Sequence, residues 1–193
     1  VNLTPPSEII VSSGEEKHFL DVVIPLARAV MAKTGLPASV SVGQAIIETD
    51  YGQSELAKQA HNYHGIKAGF GDGPLLPKEA FPEWTGKVYL LKDDEDGLSR
   101  FMKFNGIQDS FWSHDRWFTY WDHYHPYFAH AQSPKTFLEL ISRHYATNPA
   151  YFQLVWAAIK KHNLTMIDQG VTVSLISPWK ELYAKSAPAN RTY

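Results

Sequence analysis

Apolar positions along the chain fall into runs of two periods, which together predict a helical protein with one small β insertion. Phe19, Val22, Val23, Leu26 and Val30 recur at helical spacing from about Glu15, with Ser13 placed to cap the first turn. Pro25 predicts a kink or a division of this helix, and Gly35 and Pro37 end it. Val42, Ala45 and Ile46 mark a second helix that Gly52 stops, and Ser54 opens a short third one over Glu55 to Ala60. Residues 68–87 break the pattern, because Gly69, Gly71, Gly73, Pro74, Pro77 and Pro82 favour loop. Residues 87–91 and 98–104 then read as two short strands, joined by the acidic turn Asp93-Asp94-Glu95-Asp96-Gly97. Helical spacing returns at Ile107, with Asn105 or Asp109 as cap, and an aromatic segment over residues 115–131 is bent at Pro126. Ser133-Pro134 opens a helix to about Ala146 that buries Phe137, Leu140 and Ile141. Asn148-Pro149 opens another to His162, burying Leu154, Val155, Ala158 and Ile159 before Asn163 ends it.

Composition narrows the class. A chain of 193 residues, 44% hydrophobic and 20% charged, is large enough for one cored domain. A net charge of −2 disfavours a nucleic-acid surface, and no apolar run approaches the roughly 18 residues that membrane insertion needs. With no cysteine there is neither a disulfide nor a thiolate metal site. The opening Val1-Asn2-Leu3 lacks a methionine, so the expectation is a processed or trimmed chain whose signal peptide is gone.

The richest stretch chemically is Ser39 to Lys67. Gln44, Glu48 and Tyr51 lie at i, i+4 and i+7, which places them on one helix face if the helix runs that far. Glu48 falls in the last turn beside Ile46 and Ile47. The negative end of the helix dipole and desolvation both disfavour its charge, so its pKa should rise. A carboxyl that keeps its proton near neutral pH can act as a general acid; most helix-end glutamates are only surface residues.

Gln44-Ala45-Ile46-Ile47-Glu48-Thr49-Asp50-Tyr51-Gly52-Gln53-Ser54-Glu55-Leu56-Ala57, followed by Asn62-Tyr63-His64-Gly65-Ile66-Lys67, resembles a long motif of glycoside hydrolase family 73. These are bacterial endo-β-N-acetylglucosaminidases that cut peptidoglycan, and His64 stands where the family has Phe. Trp84-Thr85-Gly86-Lys87-Val88 and the acidic turn resemble the family's hairpin, with Glu95 at the matching acidic position. Asp109-Ser110 and His114 resemble its S-x-x-D-H helix. Residues 144–151, HYATNPAY, resemble G-Y-A-T-D-P-x-Y, while Phe101-Met102-Lys103-Phe104 departs from F-R-x-Y. The resemblance, running from about Phe19 to Asp168, implies an α+β, predominantly α, lysozyme-like fold: a helical lobe and a small β-hairpin lobe flank a cleft. Residues 1–14 would be an irregular lead-in, 15–168 the catalytic domain and 169–193 an extension of the same domain.

The implied activity is hydrolysis of the β-1,4 bond between N-acetylglucosamine and N-acetylmuramic acid. Glu48 would be the acid, Glu95 the second catalytic carboxylate, and Tyr145 the tyrosine beside Glu48. Gln44, Tyr51, Asn62, Tyr63, Lys67, Trp84, Asp94 and Tyr151 would bind substrate. Three readings of the second group stay open: Glu95 or Asp94 as general base, either as nucleophile, or attack by the substrate's own N-acetyl group with Tyr145 assisting. A muramidase or lytic transglycosylase on the same fold is the enzyme alternative, and a wall-binding module with impaired chemistry is the other. His61 with His64, and Asp122 with His123 and His125, are the metal candidates, but without H-E-x-x-H no metal and no other cofactor is expected. The expected partner is the peptidoglycan glycan strand, met by a monomer that is secreted, wall-associated, or carried by a phage or secretion apparatus.

Overall fold

The computed structural model describes residues 8–93 and 97–174. Six helices and a two-stranded antiparallel sheet make up the regular structure of these residues: α1 (Gly14–Thr34), α2 (Ala38–Thr49), α3 (Glu55–Ala60), β1 (Val88–Asp93), β2 (Gly97–Met102), α4 (Ile107–Tyr120), α5 (Pro134–Tyr145) and α6 (Tyr151–Lys161). Short 3-10 segments cover Lys78–Ala80, Asp122–His130 and Leu164–Asp168. The arrangement is the predominantly helical, lysozyme-like one, with the hairpin inserted between α3 and α4.

Helix α1 starts where Ser13 accepts the backbone N–H of Glu16, and ends at Gly35 in the left-handed region with φ 86°. Pro25 does not divide it. Pro25 lies on the solvent face, near the exposed Asp21, so the carbonyl that loses its helical partner can turn to water. The buried stripe is also rotated from the predicted one: Leu20, Ala27 and Met31 join Phe19, Val23 and Val30, while Val22 is exposed. Leu154 of α6 and Leu140 of α5 likewise fall outside the buried set, and Gly106 rather than Asn105 or Asp109 precedes α4.

Helix α2 is the centre of the molecule. Ten of its twelve residues are buried, as expected of a helix enclosed on all sides. It packs against α1 and α6. Close approach to α6 depends on Gly43, where a Cβ would fall 2.6 Å from Ile159 Cγ1. The first turn has no capping side chain of its own. Asp168 supplies one from the far end of the chain: its carboxylate accepts the Ser39 backbone N–H at 2.8 Å and the Ser39 hydroxyl at 2.5 Å. Arg28 holds this segment by donating to the carbonyls of Ile167 and Gln169.

The hairpin pairs Val88 with Met102 through to Asp93 with Gly97. It docks on the helical lobe through residues 66–68. Met102 N–H donates to the Ile66 carbonyl at 3.0 Å, and Ala68 N–H to the Arg100 carbonyl at 2.7 Å. Asn62, fully buried, bridges both sides with its carboxamide, donating to the carbonyls of Ile66 and Met102.

Candidate active site

The cleft between the lobes has a volume of about 540 Å³. Glu48 comes to it from the last turn of α2, Gly65 and Lys67 from the docking segment, Leu91 and Phe101 from the hairpin, and Tyr145 and Tyr151 from the ends of α5 and α6. Burial pushes the Glu48 carboxyl up to about 7 from an ordinary 4.5, against the hydrogen bond from Tyr151, which lowers it. Tyr151 donates its hydroxyl to Glu48 Oε1 at 2.9 Å and accepts from Gln44 Nε2 at 3.0 Å. Burial first, and then the neighbouring Glu48, hold the Tyr151 phenol well above its usual range, so it keeps its proton. Glu48 Oε2 lies over Gly65, whose φ is +63° and where a Cβ would sit 3.1 Å from that oxygen. Glycine is the residue that meets both demands.

Tyr145 is in the cleft wall, but its hydroxyl donates to the His64 carbonyl at 2.7 Å. Its ring stacks on Tyr151 at 5.7 Å. The tyrosine that donates to Glu48 is Tyr151, the second of the HYATNPAY segment, while Tyr145, the first, lines the same cleft. Lys67 lines the cleft. Gln44 and Asn62 are fully buried behind the wall. Trp84 is also buried, and its indole N–H donates to the Lys87 carbonyl at 2.8 Å. Tyr51 and Tyr63 line a different groove, between α1 and the turn after α2, together with Phe19. The helix stops at Thr49, and Asp50 and Tyr51 take positive φ of 47° and 55°, which turns Tyr51 off the Glu48 face. There its hydroxyl donates to His162 Nε2 at 2.7 Å and accepts from Lys161 at 3.1 Å. Asp94 and Glu95 lie outside the described residues. Glu55 is a cleft carboxylate that the sequence reading passed over; it accepts a hydrogen bond from Tyr89 of β1. Its only sequence signal is its place directly after the cap of α3.

Of the metal candidates, His61 caps α3 with φ 51°, His64 is buried in the core, and His125 bonds the Thr119 carbonyl at 2.9 Å. Among the described residues no three histidines or carboxylates gather as a metal site requires.

The sequence pattern of the family described as mannosyl-glycoprotein endo-β-N-acetylglucosaminidase matches residues 24–164, which carry Glu48, Gly65, Tyr145 and Tyr151. The chain belongs to this glucosaminidase family. Among its relatives, exo-glucosaminidase LytG of Bacillus subtilis is 27% identical over 160 residues, covering 80% of this chain and 54% of LytG. Peptidoglycan hydrolase FlgJ of Pseudomonas aeruginosa is 25% identical over 143 residues, covering 72% of this chain and 34% of FlgJ. The glucosaminidase chain thus spans about half the length of one relative and about a third of the other. Several solved structures share its fold. The catalytic domain of the autolysin Auto from Listeria monocytogenes matches with a TM-score of 0.63 at 20% identity, covering 82% of this chain and 90% of that one. The glycoside hydrolase domain of Salmonella typhimurium FlgJ matches with 0.55 at 19%, covering 76% and 87%.

Proposed function

We propose that this glucosaminidase hydrolyses the β-1,4 bond between N-acetylglucosamine and N-acetylmuramic acid in peptidoglycan strands, with Glu48 as general acid. The observation that carries the reading is the Glu48 carboxyl itself: it faces a cleft, is shifted to about 7 by burial, and has Tyr151 donating to one oxygen. A group titrating near neutrality holds a proton to give and releases it readily. The proton on Oε2 passes to the glycosidic oxygen as its bond to C1 breaks. Water then supplies hydroxyl to C1, and its remaining proton leaves by a base. As charge builds on the Glu48 carboxylate, the Tyr151 hydroxyl is already in place to stabilise it. We assign the group on the opposite sugar face to Glu95, supported by the hairpin strands on either side of it, which present Leu91 and Phe101 to the cleft.

Relatives named as peptidoglycan hydrolase and autolysin support a wall substrate, and with it a secreted or wall-associated place of action. The test is digestion of purified cell walls with mass spectrometry of the products. New reducing ends on N-acetylglucosamine are expected; reducing or anhydro ends on muramic acid would refute the bond assignment. Glu48→Gln should release less than about a hundredth of the wild-type product. Glu95→Gln should be impaired and recover with azide as a glycosyl azide, whereas full activity without azide would remove Glu95 from the mechanism.

A further inference from the structure

Behind Glu48 runs a string of four hydrogen bonds that leads back through Tyr151, Gln44, His114 and Ser41, each no more than 5% exposed. Ser41 Oγ meets His114 Nδ1 at 2.9 Å, and His114 Nε2 meets Gln44 Oε1 at 3.1 Å. Gln44 Nε2 meets the Tyr151 hydroxyl at 3.0 Å, and that hydroxyl meets Glu48 Oε1 at 2.9 Å. The string has a direction. A carboxamide that accepts at one end must donate at the other, so Gln44 can give Tyr151 a proton only if His114 carries its own on Nε2. Nδ1 is then an acceptor, and the Ser41 hydroxyl donates to it. His64 stacks flat on His114, with ring centres 3.9 Å apart and planes 11° apart. Two buried rings so close disfavour a charge on either, which leaves His114 with one N–H to place.

The opposite direction is chemically complete too, and it would be unproductive. With the proton on Nδ1, His114 would donate to Ser41, Gln44 would turn over, and Tyr151 would donate to Gln44. Tyr151 could then meet Oε1 only by accepting from it, so the acid proton would sit on Oε1, facing the protein. We propose that Ser41, His114 and Gln44 are positioning residues whose hydrogen-bond direction keeps the Tyr151 hydroxyl pointed at Oε1 and the acid proton of Glu48 on Oε2, over Gly65. This rests on the reading of Glu48 as the acid. The three residues touch no substrate and act through Tyr151.

The experiment has one arm on the wild-type protein and one on variants. Long-range nitrogen–proton correlation spectra of ¹⁵N-histidine-labelled protein should show His114 as the Nε2-protonated tautomer at pH 6 to 8. An Nδ1-protonated or doubly protonated His114 overturns the proposal, whatever the activity. In kinetics, Gln44→Met should lower kcat about tenfold while KM stays within about twofold. On a Tyr151→Phe background the same substitution should add nothing, because the hydroxyl it steers is gone. An equal further loss on that background would mean that Gln44 acts through packing, and would also overturn the proposal. Were Glu48→Gln to remain active, the acid assignment would fail, whereas the tautomer measurement would still report on the string by itself.

Discussion

Glu48→Gln should make the protein more stable as well as inactive, and by an amount that depends on pH. The carboxyl is displaced from 4.5 to about 7 by burial in the folded chain. Between those values the folded state keeps a proton that the unfolded state has released, so wild-type stability falls as pH rises through this window. At ~1.4 kcal/mol per pH unit the ceiling is about 3 kcal/mol. Because Glu48 is partly exposed at the cleft, water relieves some of that, and about 2 kcal/mol is the better expectation. Glutamine keeps the shape and an oxygen for the Tyr151 hydroxyl but has no charge to bury. The two proteins should therefore unfold alike at pH 4.5 and diverge up to about pH 7.5, with the variant melting about 6 °C higher there. Other titrating groups are common to both chains and cancel in the difference. Urea unfolding at the two pH values, with equal slopes, measures it. A stability difference that does not change with pH would refute the buried, raised carboxyl, and with it the physical case for Glu48 as a general acid at neutral pH.

Three other outcomes follow from the same geometry. Tyr151→Phe should lower kcat about 10- to 100-fold and move the alkaline limb of the pH–rate profile upward, since Glu48 loses the donor that favours its ionised form; Tyr145→Phe, whose hydroxyl serves the His64 carbonyl, should lose less, and the reverse ranking would restore Tyr145 as the acid's partner. Gly65→Ala should cost about 1–2 kcal/mol through its positive φ and depress activity by crowding Glu48 Oε2, both readable from melting curves and wall digestion. Chelators should change neither turnover nor melting temperature, and a loss restored by a divalent ion would contradict this.

What was legible in the sequence was local. The second helix, the cap at Ser54, the left-handed stop at Gly35 and the acid at the end of an apolar run all follow from residues within one or two turns of each other. The shared face of Gln44 and Glu48 was readable too, because both lie inside the helix. The extension of that face to Tyr51 failed because the chain turns left-handed at Asp50, a conformation that aspartate tolerates but does not announce. Choosing between Tyr145 and Tyr151 was beyond spacing, since the two rings stack in one cleft wall and their hydroxyls go to different partners, the His64 carbonyl and Glu48. Pro25 misled for a related reason: its effect depends on whether the unpaired carbonyl faces water, which is a tertiary fact. Ser41 looks like an ordinary helix residue, and His114 only like part of a family motif, until the fold brings Ser41 and Gln44 within hydrogen-bond reach of His114.

The cap that Asp168 places on α2 also orders events in time. Glu48 emerges early during synthesis, but the residue that bonds its carboxyl is Tyr151, and the one that closes the start of its helix is Asp168. A chain made only as far as α5 therefore has Glu48 without its partner, on a helix with an open first turn. The site is assembled from both ends of the domain, so an incomplete chain has no finished site.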